Sequence, residues 1–290
     1  MNVLLTGASG FVGARLRREL ERAGHAVTGV GRAGADCDWS EAALARALER
    51  CPAVVHLAGE NVFARRWNAT QKELLRSSRI ATTALLARLL ARRKGGVFLG
   101  ASAIGYYGPR GDEELDETAP AGDDFLARLC RDWEAAAAPA AAAGVRVAHV
   151  RIGLVLGAGG ALARMRLPFR LGLGGPLGSG RQQQSWIHVD DLCALFRFVL
   201  ERDDLGGPFN GTAPAPVSQR EFARTLGRVL GRPAVLPAPA FALRLALGEA
   251  AGVLLTGVRA LPRRAQAAGF RFDQPTLEGA LRDLLARPTP

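Results

Sequence analysis

Asn2-Val3-Leu4-Leu5-Thr6-Gly7-Ala8-Ser9-Gly10-Phe11-Val12-Gly13 decides the fold. A short apolar strand runs straight into a turn with glycine at its first, fourth and seventh places, and an Arg- and Leu-rich helical stretch follows. Each glycine has a separate task. Gly7 takes a positive φ as the chain leaves the strand, Gly10 lets backbone approach a diphosphate, and Gly13 lets the helix lie close to the sheet. The first amides of that helix have no partners within it, and its dipole favours negative charge there. Gly7, Ser9, Gly10, Phe11, Val12 and Gly13 are therefore candidate contacts to a dinucleotide.

Working outward, strand and helix signals alternate. Short runs rich in Val, Leu and Ala predict strands at 3–6, 26–31, 53–57, 96–101 and 145–150, with helices at 12–23, 41–49, 71–92 and 125–138. The alternation predicts an α/β fold, a Rossmann-type doubly wound parallel sheet whose ligands bind beyond the carboxyl ends of its strands. The alanine run 135–143, broken by Pro139, reads as a helix end and surface loop.

Composition narrows the function classes. With 290 residues, 48% hydrophobic and 22% charged, the chain can bury a large core. No apolar run is long enough to span a bilayer and no leader precedes the first strand, so no membrane partner and a cytoplasmic location are expected. Cys37, Cys51, Cys130 and Cys193 are too scattered for a disulfide framework or a metal site, so no metal is expected. The net charge of +11 could serve nucleic acid, but the arginines are spread through every helix without interleaved aromatics. No nucleic-acid partner is expected, and the expected partner is a small-molecule substrate.

Strand ends carry the next clues. Gly31-Arg32 follows the second strand, where an arginine suits the extra phosphate of NADP and an acid would suit NAD, so NADP is favoured over NAD. Asp38 is placed to meet the adenine edge, with an exposed turn as its plainer role. The third strand ends in Val54-Val55-His56-Leu57-Ala58-Gly59-Glu60-Asn61, where small residues let the chain pass beside a dinucleotide. His56 reads as a packed strand residue.

That segment resembles the extended short-chain dehydrogenase/reductase superfamily, and further motifs resemble its epimerase-like NADP-binding oxidoreductase branch. These are Arg65-Arg66-Trp67, Ser78 to Thr83, Gly105-Tyr106-Tyr107-Gly108, Trp133-Glu134, Leu167 to Gly175 and Ser185-Trp186-Ile187-His188. Gly248-Glu249, Leu261-Pro262 and Gly269-Phe270-Arg271-Phe272 resemble that branch's small C-terminal domain of unknown function. The resemblance implies that Leu57, Ala58, Gly59, Glu60 and Arg79 contact the cofactor, that Val155 touches the nicotinamide, and that Ser102 hydrogen-bonds a reacting carbonyl.

One departure stands out. Relatives of the wider superfamily carry a tyrosine and, four residues on, a lysine that work as the proton-transfer pair. Aligned on Glu134, those positions hold Leu126 and Cys130, and Lys72 and Lys94 lie elsewhere. Either Tyr106 or Tyr107 donates the proton instead, or the protein binds NADP without turnover.

The second half supplies the substrate side. The glycine-dense stretch from Gly157 to Gly180, with Arg164, Arg166 and Arg170, reads as a lid loop, and its arginines weakly favour an anionic or polar substrate. Arg66, Trp67, Gln183, Trp186 and His188 are candidate substrate-pocket residues. Asp190 and Asp191 read as a helix cap, and Ser218 with Glu221 as a capping box. The apolar stretch from Phe241 to Leu255 is expected to pack on the core; a homodimer contact is the other option, and the oligomeric state is left open. The expected domains are 1–210, a binding domain that includes a 157–185 lid, and 211–290, a smaller helical substrate lobe. The expected function is an NADP-dependent oxidoreductase or nucleotide-sugar-epimerase-like enzyme acting on a small carbonyl or hydroxyl compound. The alternative is a catalytically silent NADP-binding redox sensor or regulator.

Overall fold

The computed structural model describes residues 1–31, 35–93 and 95–286. Its first half runs β1 (Asn2–Thr6), α1 (Phe11–Arg22), β2 (Ala26–Val30), α2 (Glu41–Arg50), β3 (Ala53–His56), α3 (Ala69–Arg93), β4 (Val97–Ala103), a two-residue β5 (Glu114–Leu115), α4 (Phe125–Ala135), α5 (Ala138–Ala142) and β6 (Arg146–Ile152). The second half runs β7 (Leu154–Leu156), α6 (Gly160–Arg170), β8 (Gln183–Gln184), β9 (Trp186–His188), α7 (Val189–Glu201), β10 (Gly207–Gly211), β11 (Val217–Ser218), α8 (Gln219–Leu230), α9 (Ala240–Leu247), α10 (Gly252–Leu255), β12 (Arg259–Ala260), α11 (Arg263–Ala267) and α12 (Leu277–Ala286).

Six strands form one parallel sheet in the order β10-β6-β4-β3-β1-β2, the doubly wound arrangement expected. Side chains alternate across it. Val3, Leu5, Val55, Leu99 and Val150 face a layer that includes α1 and α7, while Leu4, Val54 and Phe98 face α2 and α3. The order in which strands are added reverses between β1 and β3, and that reversal is where an open sheet leaves a crevice for ligand.

A third apolar cluster belongs to the second half. Trp186, Phe169 and Phe222 pack there with Leu277, Leu281 and Leu284 of α12. Among the described residues no helix is long and apolar enough to cross a membrane.

Four local expectations need correction. The alanine run contains the short helix α5, because Pro139 sits at the helix start, where its missing N–H costs nothing. The supposed lid loop contains the eleven-residue helix α6, which tolerates Pro168 near its last turn. The cap of α7 is His188, which accepts from the Asp190 amide at 3.1 Å, while Asp191 accepts from the Asp273 and Gln274 amides and ties down the C-terminal segment. Phe241 and Leu245 do not pack on the core: α9 buries no residue, and these two are 73% and 75% exposed.

Candidate active site

The glycine turn is built as its spacing requires. Gly7 has φ 70°, and a side chain on it would meet the Leu57 carbonyl carbon at 3.0 Å, so β1 and the chain leaving β3 touch here. A Cβ on Gly13 would lie 2.0 Å from the Gly7 oxygen. Gly10 caps α1 without any side-chain bond, and no acidic residue occupies the helix's first turn. Backbone amides and the positive helix end are thus left to an anion. The Phe11 ring closes the other side against Gly157, Gly159 and Gly160, where any Cβ would stand 2.4 to 3.2 Å from it. These features fit the diphosphate of a dinucleotide. Val12 and Ser9 belong to the same turn.

Beneath the turn, Thr6 Oγ accepts from the Leu57 and Ala58 amides at 3.2 and 3.1 Å, which directs its proton to His56 Nδ1 at 2.7 Å. The opposite ring nitrogen then donates to Thr82 Oγ at 3.2 Å, while Thr82 donates to the Ser78 carbonyl. His56 is fully buried, and burial followed by the Arg79 charge pushes its pKa down to about 3. It is a neutral clamp between strands.

Arg79 is placed under the cofactor segment. Its guanidinium donates to the Glu60 and Leu75 carbonyls, lies against Gly59 and sits 5.2 Å over the Trp133 ring. Burial lowers its pKa. Trp133 in turn donates to Thr83 Oγ at 3.0 Å. Asp38 is an exposed residue that accepts from the Ser40 amide, and hydrogen bonding from the Ser40 hydroxyl and then its amide holds the carboxyl below the usual range. Arg32 lies outside the described residues. Sequence reasoning missed Asp36, which folds back to β2, accepts from the Gly29 amide at 2.7 Å and pairs with Arg17 at 3.2 Å. The bridge between Val30 and Cys37 brings it there, a contact that local sequence does not announce.

Farther along the sheet, register assembles a polar row. Ser102 of β4 stands opposite Arg151 of β6, which stands opposite Asn210 of β10. Ser102 Oγ donates to Glu134 of α4 at 2.6 Å, and Arg151 grips the same carboxylate with two bonds of 2.9 Å. Arg151 also donates to the Tyr107 hydroxyl at 3.1 Å, which donates to Asn210 at 2.7 Å. Glu117 receives the Asn210 amide at 2.9 Å. Burial opposes the Arg151 charge, but the hydrogen bonds and charge of Glu134 outweigh it and raise the pKa.

The two candidate tyrosines are placed differently. Tyr107 is wholly buried, both sides of its hydroxyl are engaged, and burial pushes its pKa up to about 12. It is an interior strut. The Tyr106 ring lies 3.4 Å under the Arg151 guanidinium as a stacking surface. Arg151, Glu134 and Asn210 were absent from the sequence candidates; an arginine near the end of a central strand was the available signal, since a buried charge needs a partner.

A cavity of about 330 Å³ is lined by the chain neighbours of this row, Ala103, Cys130 and Ile152, while Ser102, Glu134 and Arg151 themselves lie behind that wall. Ala103 and Ile104 after β4, Ile152 to Leu154 after β6, Leu126 and Cys130 of α4, and Met165 of α6 form part of its wall. The proton-transfer positions of other superfamily members are therefore occupied by an apolar leucine and a thiol whose pKa burial pushes up to about 12. Val155 of β7 pairs with Ile187 of β9 beside it. The proposed pocket residues do not assemble as a group. Trp186 is fully buried in the third cluster, its indole donating to the Ala215 carbonyl, and His188 is buried at the α7 cap. Trp67 donates to the Val62 carbonyl and packs its edge on Phe125, while Arg66 is exposed beside Gly248. Gln183 does line the cavity. Among the described residues no cluster of His, Cys, Asp and Glu could hold a metal ion.

A glycine turn at the winding reversal of a parallel sheet, beside a walled cavity, defines a nucleotide-binding protein of the doubly wound α/β class. The chain belongs to the NAD dependent epimerase/dehydratase family, whose model matches residues 3–210. Residues 238–284 match a domain of unknown function, DUF1731, as the resemblance of the C-terminal motifs implied. Epimerase family protein SDR39U1 of Bos taurus is 44% identical over 297 residues, covering 99% of this chain and all of the relative (100%). The chloroplastic SDR39U1 homolog of Arabidopsis thaliana is 41% identical over 303 residues, with 98% and 87% covered. Its name places one relative in an organelle, so a cytoplasmic location is not a property of the family as a whole. A crystal structure of human epimerase family protein SDR39U1 (isoform 2) with NADPH matches with a TM-score of 0.92 and 39% identity, covering 99% of this chain and 100% of that one.

Proposed function

We propose that this protein binds NADPH and reduces a small carbonyl compound held in the cavity. The observation that carries the reading is the row Ser102–Glu134–Arg151 at the carboxyl ends of β4 and β6, one residue behind Ala103 and Ile152 of the cavity wall and at the same end of the sheet as the glycine turn. The cofactor supplies hydride. The amides after Gly10 hold its diphosphate, Phe11 and the glycines from 157 to 160 enclose it, and Arg32 answers the additional phosphate, in line with the NADPH of the human relative.

Ser102 is the hydroxyl that hydrogen-bonds the carbonyl oxygen. When it turns from Glu134 toward substrate, Glu134 keeps both Arg151 bonds, so no buried charge is abandoned. The substrate oxygen gains its proton from water. Glu134 and Arg151 position Ser102, and Arg79 positions the Gly59–Glu60 backbone. Reduction is preferred to nucleotide-sugar epimerisation, because the Tyr and Lys positions hold Leu126 and Cys130 and supply no base near neutral pH. Residues 1–210 would serve as the binding domain and 211–290 as the substrate-side lobe. Four buried free cysteines suit the reducing cytoplasm, which fractionation with a tagged chain would test.

The test is NADPH oxidation, followed by absorbance, across a panel of aldehydes and ketones. Ser102→Ala is expected to lower kcat at least tenfold with NADPH affinity unchanged. NADPH binding without turnover of any compound would remove the enzyme and leave a cofactor-binding sensor, the second reading, which the apolar Leu126 and the buried Tyr107 favour.

A further inference from the structure

We infer that the ligand of the cavity is an uncharged, largely apolar compound rather than a nucleotide sugar. The inference rests on the proposal that the cavity is the substrate site and deepens it. The wall is made by Val62, Phe63, Leu126, Met165, Phe222 and Leu254, together with other apolar groups from both halves of the chain, and among the described residues no Arg, Lys or His lines it. Among the described residues the one charged group of the wall is Asp124, a carboxylate already capping α4 through the Ala127 amide at 2.8 Å.

The polar wall groups are largely committed within the protein. Ser185 donates to the Val258 carbonyl and accepts from the Ala260 amide, Gln219 accepts from the Leu177 amide, Thr256 donates to the Gly252 carbonyl, and Gln183 donates to Asp112. A nucleoside diphosphate brings two phosphate charges, and removing them from water without a cationic partner is strongly unfavourable. A hydrocarbon chain or ring has the opposite preference. The arginines of α6 do not alter this, since Arg164, Arg166 and Arg170 are absent from the wall while Ala161 and Met165 of the same helix form it. This reading differs from the anionic or polar substrate that those arginines suggested in the sequence.

The experiment uses the full chain saturated with NADPH and the neutral fluorophore Nile red. Methyl ketones from butanone to decanone are expected to displace the dye, with affinity rising about fourfold per added methylene until the cavity is filled. UDP-glucose is expected to displace none at millimolar concentration. Leu254→Arg should weaken ketone binding more than tenfold while NADPH affinity and Tm hold. If that variant does not fold, Met165→Gln provides the same comparison. Displacement by UDP-glucose, or affinity indifferent to chain length, would overturn the inference. Ketone binding without NADPH oxidation would remove the reductase reading and leave the ligand class standing, so the two failures are distinguishable.

Discussion

Two stretches of one sheet edge solve the same problem by different means. At the carboxyl end of β1 the site is made of backbone, glycine turn and bare amides, and its diphosphate cradle lies between Gly7 and Gly13. At the ends of β4 and β6 the site is made of side chains, and its members Ser102, Glu134, Arg151 and Asn210 come from four elements brought together by register and helix packing. A backbone site tolerates almost any neighbour but no Cβ. The side-chain site tolerates backbone change but not the loss of one charge.

That contrast is sharpened by substitutions, beginning with the largest effect. Glu134→Ala would strand the Arg151 guanidinium, 3% exposed, without its carboxylate, and should destabilise the fold by about 3–5 kcal/mol in urea unfolding. A loss below about 1 kcal/mol would mean that water replaces Glu134 and that the row is not a closed network. Gly13→Ala forces a methyl toward the Gly7 oxygen, and should cost about 1–3 kcal/mol and abolish detectable NADPH binding. A variant that bound the cofactor normally would show that the turn yields.

Tyr107→Phe separates a strut from a proton donor. Removing the hydroxyl between Arg151 and Asn210 should cost about 1–2 kcal/mol of stability, with kcat reduced less than threefold in the folded fraction. A loss of a hundredfold or more in kcat would restore the tyrosine as the acid. The smallest effect near neutrality comes from His56, whose folded pKa is pushed down to about 3 from 6.5 by burial. Because its folded-state pKa is depressed, the unfolded chain binds the proton first: stability from this residue is complete above pH 6.5 and falls as pH drops toward 3. Between pH 7 and 5.5 the loss should be about 1 kcal/mol, and His56→Gln should flatten that part of the profile.

The same contrast explains what was legible in the sequence. Gly7, Gly10 and Gly13 announce themselves because their spacing is local and their task is steric. The parallel sheet was equally plain, since short strand-like runs alternate with longer helical stretches from β1 through β6. Glu134 and Arg151 sit 17 residues apart and meet only once β4, β6 and α4 are assembled, so spacing carried no sign of their pairing. Trp186 and His188 misled for a related reason: β9 is three residues long, and its outward neighbours are the second half's core and the α7 cap rather than the cavity. Asp36 was missed because it returns to β2 through a bridge formed beyond the strand.

Calorimetric titration of NADPH into the wild-type chain and into Gly13→Ala tests the central claim most directly. The account predicts one site per chain with saturable binding in the wild type and none in the variant. Absence of binding to the wild type, or equal binding to both, would contradict it.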